Sequence, residues 1–124
     1  MAFLTDRKRA AGLGSAKDGT EHFWNMTVSS YALCVLVPLF ILTFGGILGA
    51  PYEEVIAYYA HPFPAIVAGL TIAVGFVHFN MGVRVLIEDY TGGHTRQTLI
   101  VVMTCLSYTA MAIGLYAIVK LALN

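Results

Sequence analysis

The sequence predicts an all-α membrane protein with three transmembrane helices. Of the 124 residues, 58% are hydrophobic and 11% are charged, whereas roughly 25% are charged in an ordinary soluble domain. The mean hydropathy is +0.75. Three apolar stretches each approach the roughly 20 residues that cross a hydrocarbon core. A chain this short is expected to form one membrane bundle without a separate soluble domain.

The elements follow in order along the chain. A polar cytoplasmic segment is predicted over residues 1–27 and a three-helix transmembrane domain over residues 28–124. The predicted spans cover about residues 28–49, 63–88 and 97–121, from the hydropathy pattern. Two short linkers, "APYEEVIAYYAHP" and "EDYTGGHTR", join them.

The distribution of basic residues predicts the orientation, because cytoplasmic loops hold the excess of Lys and Arg. The linker after the first span has none, and Lys120 lies near the far end of the third span. Six basic residues lie on the other side: Arg7, Lys8, Arg9, Lys17, Arg84 and Arg96. The N-terminus and the second linker are therefore expected in the cytoplasm, and the C-terminus in the periplasm.

Composition also excludes some classes of function. The formal net charge is zero, and the longest basic run is Arg7–Arg9, so no nucleic-acid-binding surface is predicted. Cys34 and Cys105 lie in different apolar stretches without metal-ligand spacing, which favours a packing role for both.

The stretch "HFNMGVRVLIEDY" places polar residues at the end of the second span. On a helix, His78, Gly82 and Asp89 share one stripe, and His78 lies about 16 Å deeper in the membrane than Asp89. An ionisable residue at that depth is by default a functional hypothesis. Three interpretations are open: a hydrogen bond to a neighbouring helix, a metal ligand, or a proton relay with Glu88 and Asp89.

Gly82 favours the metal interpretation, because its missing side chain leaves room for a flat ligand against the helix one turn after His78. One imidazole does not make heme six-coordinate, so a partner chain would supply the second axial ligand. The other histidines in this chain lie nearer the membrane surfaces: His22, His61 and His94.

Tyr90 lies where this span meets the cytoplasmic interface. A phenol there can hydrogen-bond the carbonyl of an amphipathic ligand such as a quinone, although interfacial tyrosines and solvated acids such as Asp89 are also common. Arg84 either meets an acidic group of a ligand or extends to lipid headgroups.

These residues form a recognisable pattern. The string His78-x3-Gly82-x6-Asp89-Tyr90, on the second of three spans, resembles the small hydrophobic membrane anchors of succinate dehydrogenase, respiratory complex II. "VLIEDYTGG" and "GLGSAKDGTEHFW" are similar to the alphaproteobacterial members. Those members carry a Gln-Arg pair where this chain has Met26 and Thr27.

The resemblance implies an electron-transfer role in a complex of the bacterial inner membrane. His78 would be one axial ligand of heme b iron, shared with a cytochrome b-type anchor. From the residues themselves, Gly82 leaves room for the heme, and Arg84, an addition to the family pattern, either meets a heme propionate or extends to lipid headgroups. Tyr90 would hydrogen-bond ubiquinone, with Asp89 beside it. A flavoprotein with FAD and an iron–sulfur subunit would dock on the cytoplasmic face and deliver electrons from succinate, and this multi-pass chain would carry no catalytic centre itself.

Two other classes of function remain open from the residues. One is a cofactor-free structural assembly subunit, in which His78 is a packing residue. The other is a small proton-linked transporter subunit, which would usually show a second buried charge along its path. The first and third spans contain none.

Overall fold

The computed structural model describes residues 5–12 and 18–124. This part of the chain forms helices and no strands. Three of the helices are long and apolar enough to cross a membrane, which confirms the predicted fold class. The helices are α1 (Asp6–Ala11), α2 (Asp18–Ile47), α3 (Tyr52–Tyr59), α4 (Pro62–Tyr90) and α5 (Gly93–Ala122).

The helix α2 begins at Asp18, well before the predicted start of the first span at residue 28. Residues 18–27 mix polar and apolar side chains and contain no proline, and Glu21 lies near the helix N-terminus, where a negative charge is favourable. The 30 residues of α2 extend about 45 Å at 1.5 Å per residue. This exceeds the hydrocarbon thickness of about 30 Å, so the first turns of α2 project beyond it.

The first predicted linker contains a helix that the sequence analysis did not predict, α3. Pro51 precedes it as the N-cap residue, and Glu53 and Glu54 occupy its first turn. The Tyr58 hydroxyl donates a hydrogen bond to the Thr43 carbonyl of α2 over 3.0 Å. These contacts attach α3 to the end of the bundle.

Most of the buried core surrounds α3. Tyr59 is 4% exposed and clusters with Ile47, Ala65 and Ala68. Burial, and secondarily the neighbouring Tyr58, raises the pKa of the Tyr59 phenol. The core therefore lies at the end of the bundle opposite to the one at which α4 ends.

The helix α4 lies between α2 and α5 and packs against both. Small residues allow the close approach to α5: a Cβ added at Gly114 would lie 3.2 Å from Ile72 Cγ2. The connection from α4 to α5 consists of Thr91 and Gly92, shorter than the predicted linker. Gly93 has a φ of 59°, a left-handed conformation that glycine adopts without a steric penalty.

Large apolar side chains remain exposed along all three long helices. In a water-soluble protein such exposure would be costly. In a membrane these side chains meet lipid tails or the apolar surfaces of other subunits, at no such cost. The exposed faces of α2 and α4 are therefore available to lipid and to partner chains.

Candidate functional site

The helix α4 carries every residue that the sequence analysis selected for a site. His78, Gly82, Arg84, Asp89 and Tyr90 all lie within its continuous span. Tyr90 is the last helical residue, and the rise per residue places His78 about 18 Å before it along the axis. These residues lie in three different environments. His78 and Gly82 face α2, Arg84 lies in a cleft, and Asp89 and Tyr90 lie at the exposed end of the helix.

His78 is half-buried and contacts α2. Its Nδ1 lies 2.9 Å from the Ser29 hydroxyl oxygen. This is the hydrogen bond to a neighbouring helix that one interpretation of the sequence expected. One ring nitrogen is thereby engaged, and the second remains for another partner. The contact fits both a packing histidine and a histidine that ligates iron.

Gly82 also faces α2, through Met26. A Cβ added at Gly82 would lie 3.6 Å from the Met26 methyl carbon, an ordinary van der Waals distance. The end of the Met26 side chain therefore covers the backbone of α4 one turn from His78. A methionine side chain is unbranched and adaptable, so the Met26 methyl group is a flexible cover over this part of α4.

Arg84 lies on another face of α4 and pairs with Glu88. Its Nε is 2.9 Å from the Glu88 carboxylate, and the two side chains are 58% and 41% exposed. An exposed pair of this kind contributes about 0–1 kcal/mol. Arg84 is therefore accessible to the acidic group of a ligand or a partner.

A cleft of about 540 Å³ surrounds this ion pair, between the first turns of α2 and the last turns of α4. The sequence analysis missed the contribution of α2, because it described residues 18–27 only as part of a polar segment before the first span. The acidic Glu21, which favours a helix start, was the signal for it. The lining residues are Gly19, Glu21, His22, Asn25, Arg84, Val85 and Glu88.

An apolar groove of about 450 Å³ continues from this cleft along the same face of α2 and α4. Asn25 borders both the cleft and the groove, and Ser29 borders the groove. The volume falls within the roughly 300–1,000 Å³ of small-molecule sites. The remaining lining side chains are small or apolar: Val28, Ala32, Ala73, Val74, Val77 and Met81.

Asp89 and Tyr90 lie outside this cleft, at the end of α4. Tyr90 is 84% exposed and Asp89 is also exposed. Neither side chain has a hydrogen-bond partner within the part of the chain that the structure describes. The chain therefore presents both groups outward and does not enclose a ligand there by itself.

Arg96 of α5 holds the end of α4 in place. Its Nη2 donates to the Glu88 carbonyl over 2.9 Å and its Nε to the Thr91 carbonyl over 2.8 Å. The last carbonyls of a helix have no partner within the helix, and Arg96 satisfies one of them beside Asp89 and Tyr90. The sequence analysis used Arg96 for orientation and missed this contact.

Among the described residues, no three His, Cys, Asp or Glu side chains come together to hold a metal ion. Of the residues selected from the sequence, His78 is the one that would hold an iron-containing cofactor, with its second ring nitrogen.

Comparison with known proteins identifies the family. A family model described as succinate dehydrogenase/fumarate reductase transmembrane subunit matches residues 2–118. The chain belongs to this family. It is also 42% identical to the succinate dehydrogenase hydrophobic membrane anchor subunit of Paracoccus denitrificans, over 100% of this chain and 96% of that one. No solved structure matches the chain at a significant level.

Family membership confirms the resemblance read from the α4 motif and the N-terminal string. With three helices able to span a membrane, the chain is a multi-pass protein of the bacterial inner membrane. A membrane subunit of this family forms a complex with other subunits.

Proposed function

We propose that this chain anchors a succinate dehydrogenase in the membrane, provides one axial ligand of heme b and forms one wall of the ubiquinone-reduction site. The observation that carries the proposal is the placement of His78 and Tyr90 on one uninterrupted helix, with His78 about three turns before the helix end and Tyr90 at that end. Its partners are the FAD-containing flavoprotein, the iron–sulfur subunit and a cytochrome b-type anchor. Substrate oxidation takes place in the soluble partners.

His78 is the heme ligand in this proposal. One ring nitrogen is engaged by Ser29, and the other is available to iron, while the partner anchor supplies the second histidine. Gly82 lets the macrocycle approach the helix once the Met26 methyl group turns aside. Heme supplies a group that accepts and returns one electron at a time.

Arg84 is the proposed contact of a heme propionate. It lies between His78 and the cytoplasmic end of α4, and its exposed pair with Glu88 is weak enough to exchange for another carboxylate. A guanidinium binds a carboxylate in a bidentate manner, which would fix the orientation of the propionate.

Tyr90 and Asp89 are the quinone-binding residues in this proposal. The Tyr90 hydroxyl donates to a ubiquinone carbonyl, and this bond strengthens as electrons arrive and negative charge grows on that oxygen. Reduction to ubiquinol also takes up two protons. Asp89, exposed beside Tyr90, lies where it can pass protons from the cytoplasm to the site.

The proposed orientation places the end of α4 in the cytoplasm, where the soluble subunits dock. That end of the spans has six basic residues and the other end has one, and an excess of Lys and Arg favours the cytoplasmic side. Glu53 and Glu54 of α3 lie at the opposite end. The C-terminus would then be periplasmic.

Co-purification tests the proposal. The tagged chain, extracted in mild detergent, is expected to retain a flavoprotein, an iron–sulfur protein and a second small hydrophobic chain, with the absorption bands of reduced b-type heme. Recovery without the soluble pair would contradict the anchor role. A complete complex without heme bands would instead support a cofactor-free structural subunit, the function favoured if the bond between His78 and Ser29 is merely packing.

Arg96 offers a test of the quinone site. We expect Arg96→Gln to raise the KM for ubiquinone about fivefold, because losing the contacts to the Glu88 and Thr91 carbonyls costs about 1 kcal/mol and loosens the helix end that carries Tyr90. Steady-state assays of the assembled complex measure this change. Gln97→Ala, an exposed neighbour on α5, is the control. Equal KM values in the two variants would exclude a positioning role for Arg96.

A further inference from the structure

We infer that Ser29 is a positioning residue, whose hydroxyl holds His78 in the tautomer that leaves Nε2 unprotonated for iron. The inference rests on the proposed function, since it concerns the same heme ligand. It adds a residue of α2 to a site that the sequence placed wholly on α4.

The geometry comes from two hydrogen bonds that share one hydroxyl. Ser29 Oγ lies 2.9 Å from the carbonyl oxygen of Met26, one turn earlier on α2, and 2.9 Å from His78 Nδ1. A carbonyl oxygen only accepts hydrogen bonds, so Ser29 donates to Met26. A serine hydroxyl has one hydrogen and two lone pairs.

The direction of the second bond follows from this count. Because the Ser29 hydrogen points to Met26, the bond to His78 forms with Nδ1–H as the donor and Ser29 Oγ as the acceptor. In a neutral imidazole, a protonated Nδ1 means an unprotonated Nε2. His78 is therefore preset with a lone pair on the nitrogen that remains available.

The position of Ser29 makes this arrangement durable. Ser29, Met26 and His78 are all half-buried where α2 packs against α4, and water competes less there than at an exposed site. The bond to Met26 also restricts rotation of the Ser29 hydroxyl. The bond to Ser29 thus holds the His78 ring through Nδ1 and leaves Nε2 free.

Such a contact changes the electronic properties of the ligand. A histidine whose second N–H donates to an oxygen acceptor is a stronger base and a better electron donor toward a metal. Stronger donation stabilises ferric iron more than ferrous iron. Loss of the acceptor is therefore expected to raise the heme midpoint potential.

The test compares Ser29→Ala with Ser30→Ala in the assembled complex. Ser30 is the matched control, because it is half-buried and donates to the same Met26 carbonyl over 2.8 Å, while Ser29 carries the contact to His78. Redox titration of the heme measures the midpoint potential, and low-temperature electron paramagnetic resonance reports the axial ligand field. Ser29→Thr, which keeps a hydroxyl, serves as the rescue variant.

We expect Ser29→Ala to lower the preference of the site for ferric over ferrous heme about tenfold. This is the lower end of the effects seen when a hydrogen-bond partner of a metal ligand is lost. For a one-electron couple this raises the midpoint potential by about 59 mV. Ser30→Ala and Ser29→Thr should retain the parent potential and resonance spectrum. If Ser29→Ala fails to assemble, Ser29→Cys, whose sulfur is a weak acceptor, is expected to give a smaller shift in the same direction.

Two results would overturn the inference. One is a parent potential in Ser29→Ala or, where that variant does not assemble, in Ser29→Cys. The other is an equal shift in Ser29→Ala and Ser30→Ala, which would report a general effect of the Met26 turn. Retention of the heme spectrum in His78→Ala is a different failure, since it removes the proposed ligand itself. Loss of heme in His78→Ala with no response to Ser29 would leave the proposed function intact.

Discussion

Replacement of His78 by alanine is expected to lower the heme content of the assembled complex by more than about tenfold, because even the loss of an outer-shell partner of a metal ligand costs about that much. In the proposed site, alanine offers no donor to the iron, which would then keep only the ligand from the partner chain. The ratio of heme to flavin in the purified complex measures the loss.

His61→Ala is the matched control for this variant. His61 is the exposed N-cap residue of α4. It lies at the opposite end of this helix from Tyr90, far from the proposed heme. Its replacement should leave the heme to flavin ratio unchanged. Gel filtration establishes that each variant complex is whole. An intact His78→Ala complex with the full heme content would show that His78 is a packing residue bonded to Ser29 and nothing more.

Tyr90→Phe is expected to reduce electron transfer from succinate to ubiquinone about tenfold, since one hydrogen bond to the reacting carbonyl is worth roughly 1–1.5 kcal/mol. Phenylalanine keeps the ring and removes the donor. Succinate oxidation with a water-soluble artificial acceptor should continue at the parent rate, because that acceptor takes electrons before the quinone site. The two assays, run on the same preparation, separate the quinone step from the earlier ones.

Tyr52→Phe provides the control for a general effect of removing an exposed phenol. Tyr52 is 67% exposed at the start of α3, at the opposite end of the bundle from Tyr90. It should leave both activities unchanged. The heme to flavin ratio in Tyr90→Phe should also equal that of the parent, since His78 lies about 18 Å away along α4. Equal ubiquinone turnover in the two variants would remove Tyr90 from the site.

The placement of these two residues also explains why the effects should separate. His78 is half-buried and contacts α2 through Ser29, so its replacement acts inside the bundle. Tyr90 is the exposed end of α4, and the contacts that support it come from Arg96 on α5. Replacement of Tyr90 does not remove the hydrogen bond between Ser29 and His78, and replacement of His78 does not remove the contacts of Arg96.

The three spans, the order of the proposed site residues and the family could all be predicted from the sequence. The three spans follow from long apolar stretches, because a hydrocarbon core sets a minimum length that short soluble helices do not reach. The order of His78, Gly82, Asp89 and Tyr90 along α4 follows from helical periodicity. The family was also evident from that string, and comparison confirmed it.

The sequence pattern did not predict the short helix α3 or the first turns of α2. The helix α3 has eight residues, too few for a periodic pattern to stand out from a polar linker. The early start of α2 was missed because hydropathy marks where a helix enters lipid and not where it begins. The cleft around Arg84 depends on those first turns of α2, so it was missed with them.

Contacts between helices were decided by the tertiary structure. Ser29 and His78 are 49 positions apart, and their meeting depends on the rotation of α2 relative to α4, which no local pattern specifies. The same rotation places the Met26 methyl group over Gly82. The sequence by itself determined which helix carries the proposed site residues, because span length and helical periodicity are local properties of the chain. Only the packed bundle decided which neighbour orients the histidine, because side chains far apart in sequence meet only after the helices have packed.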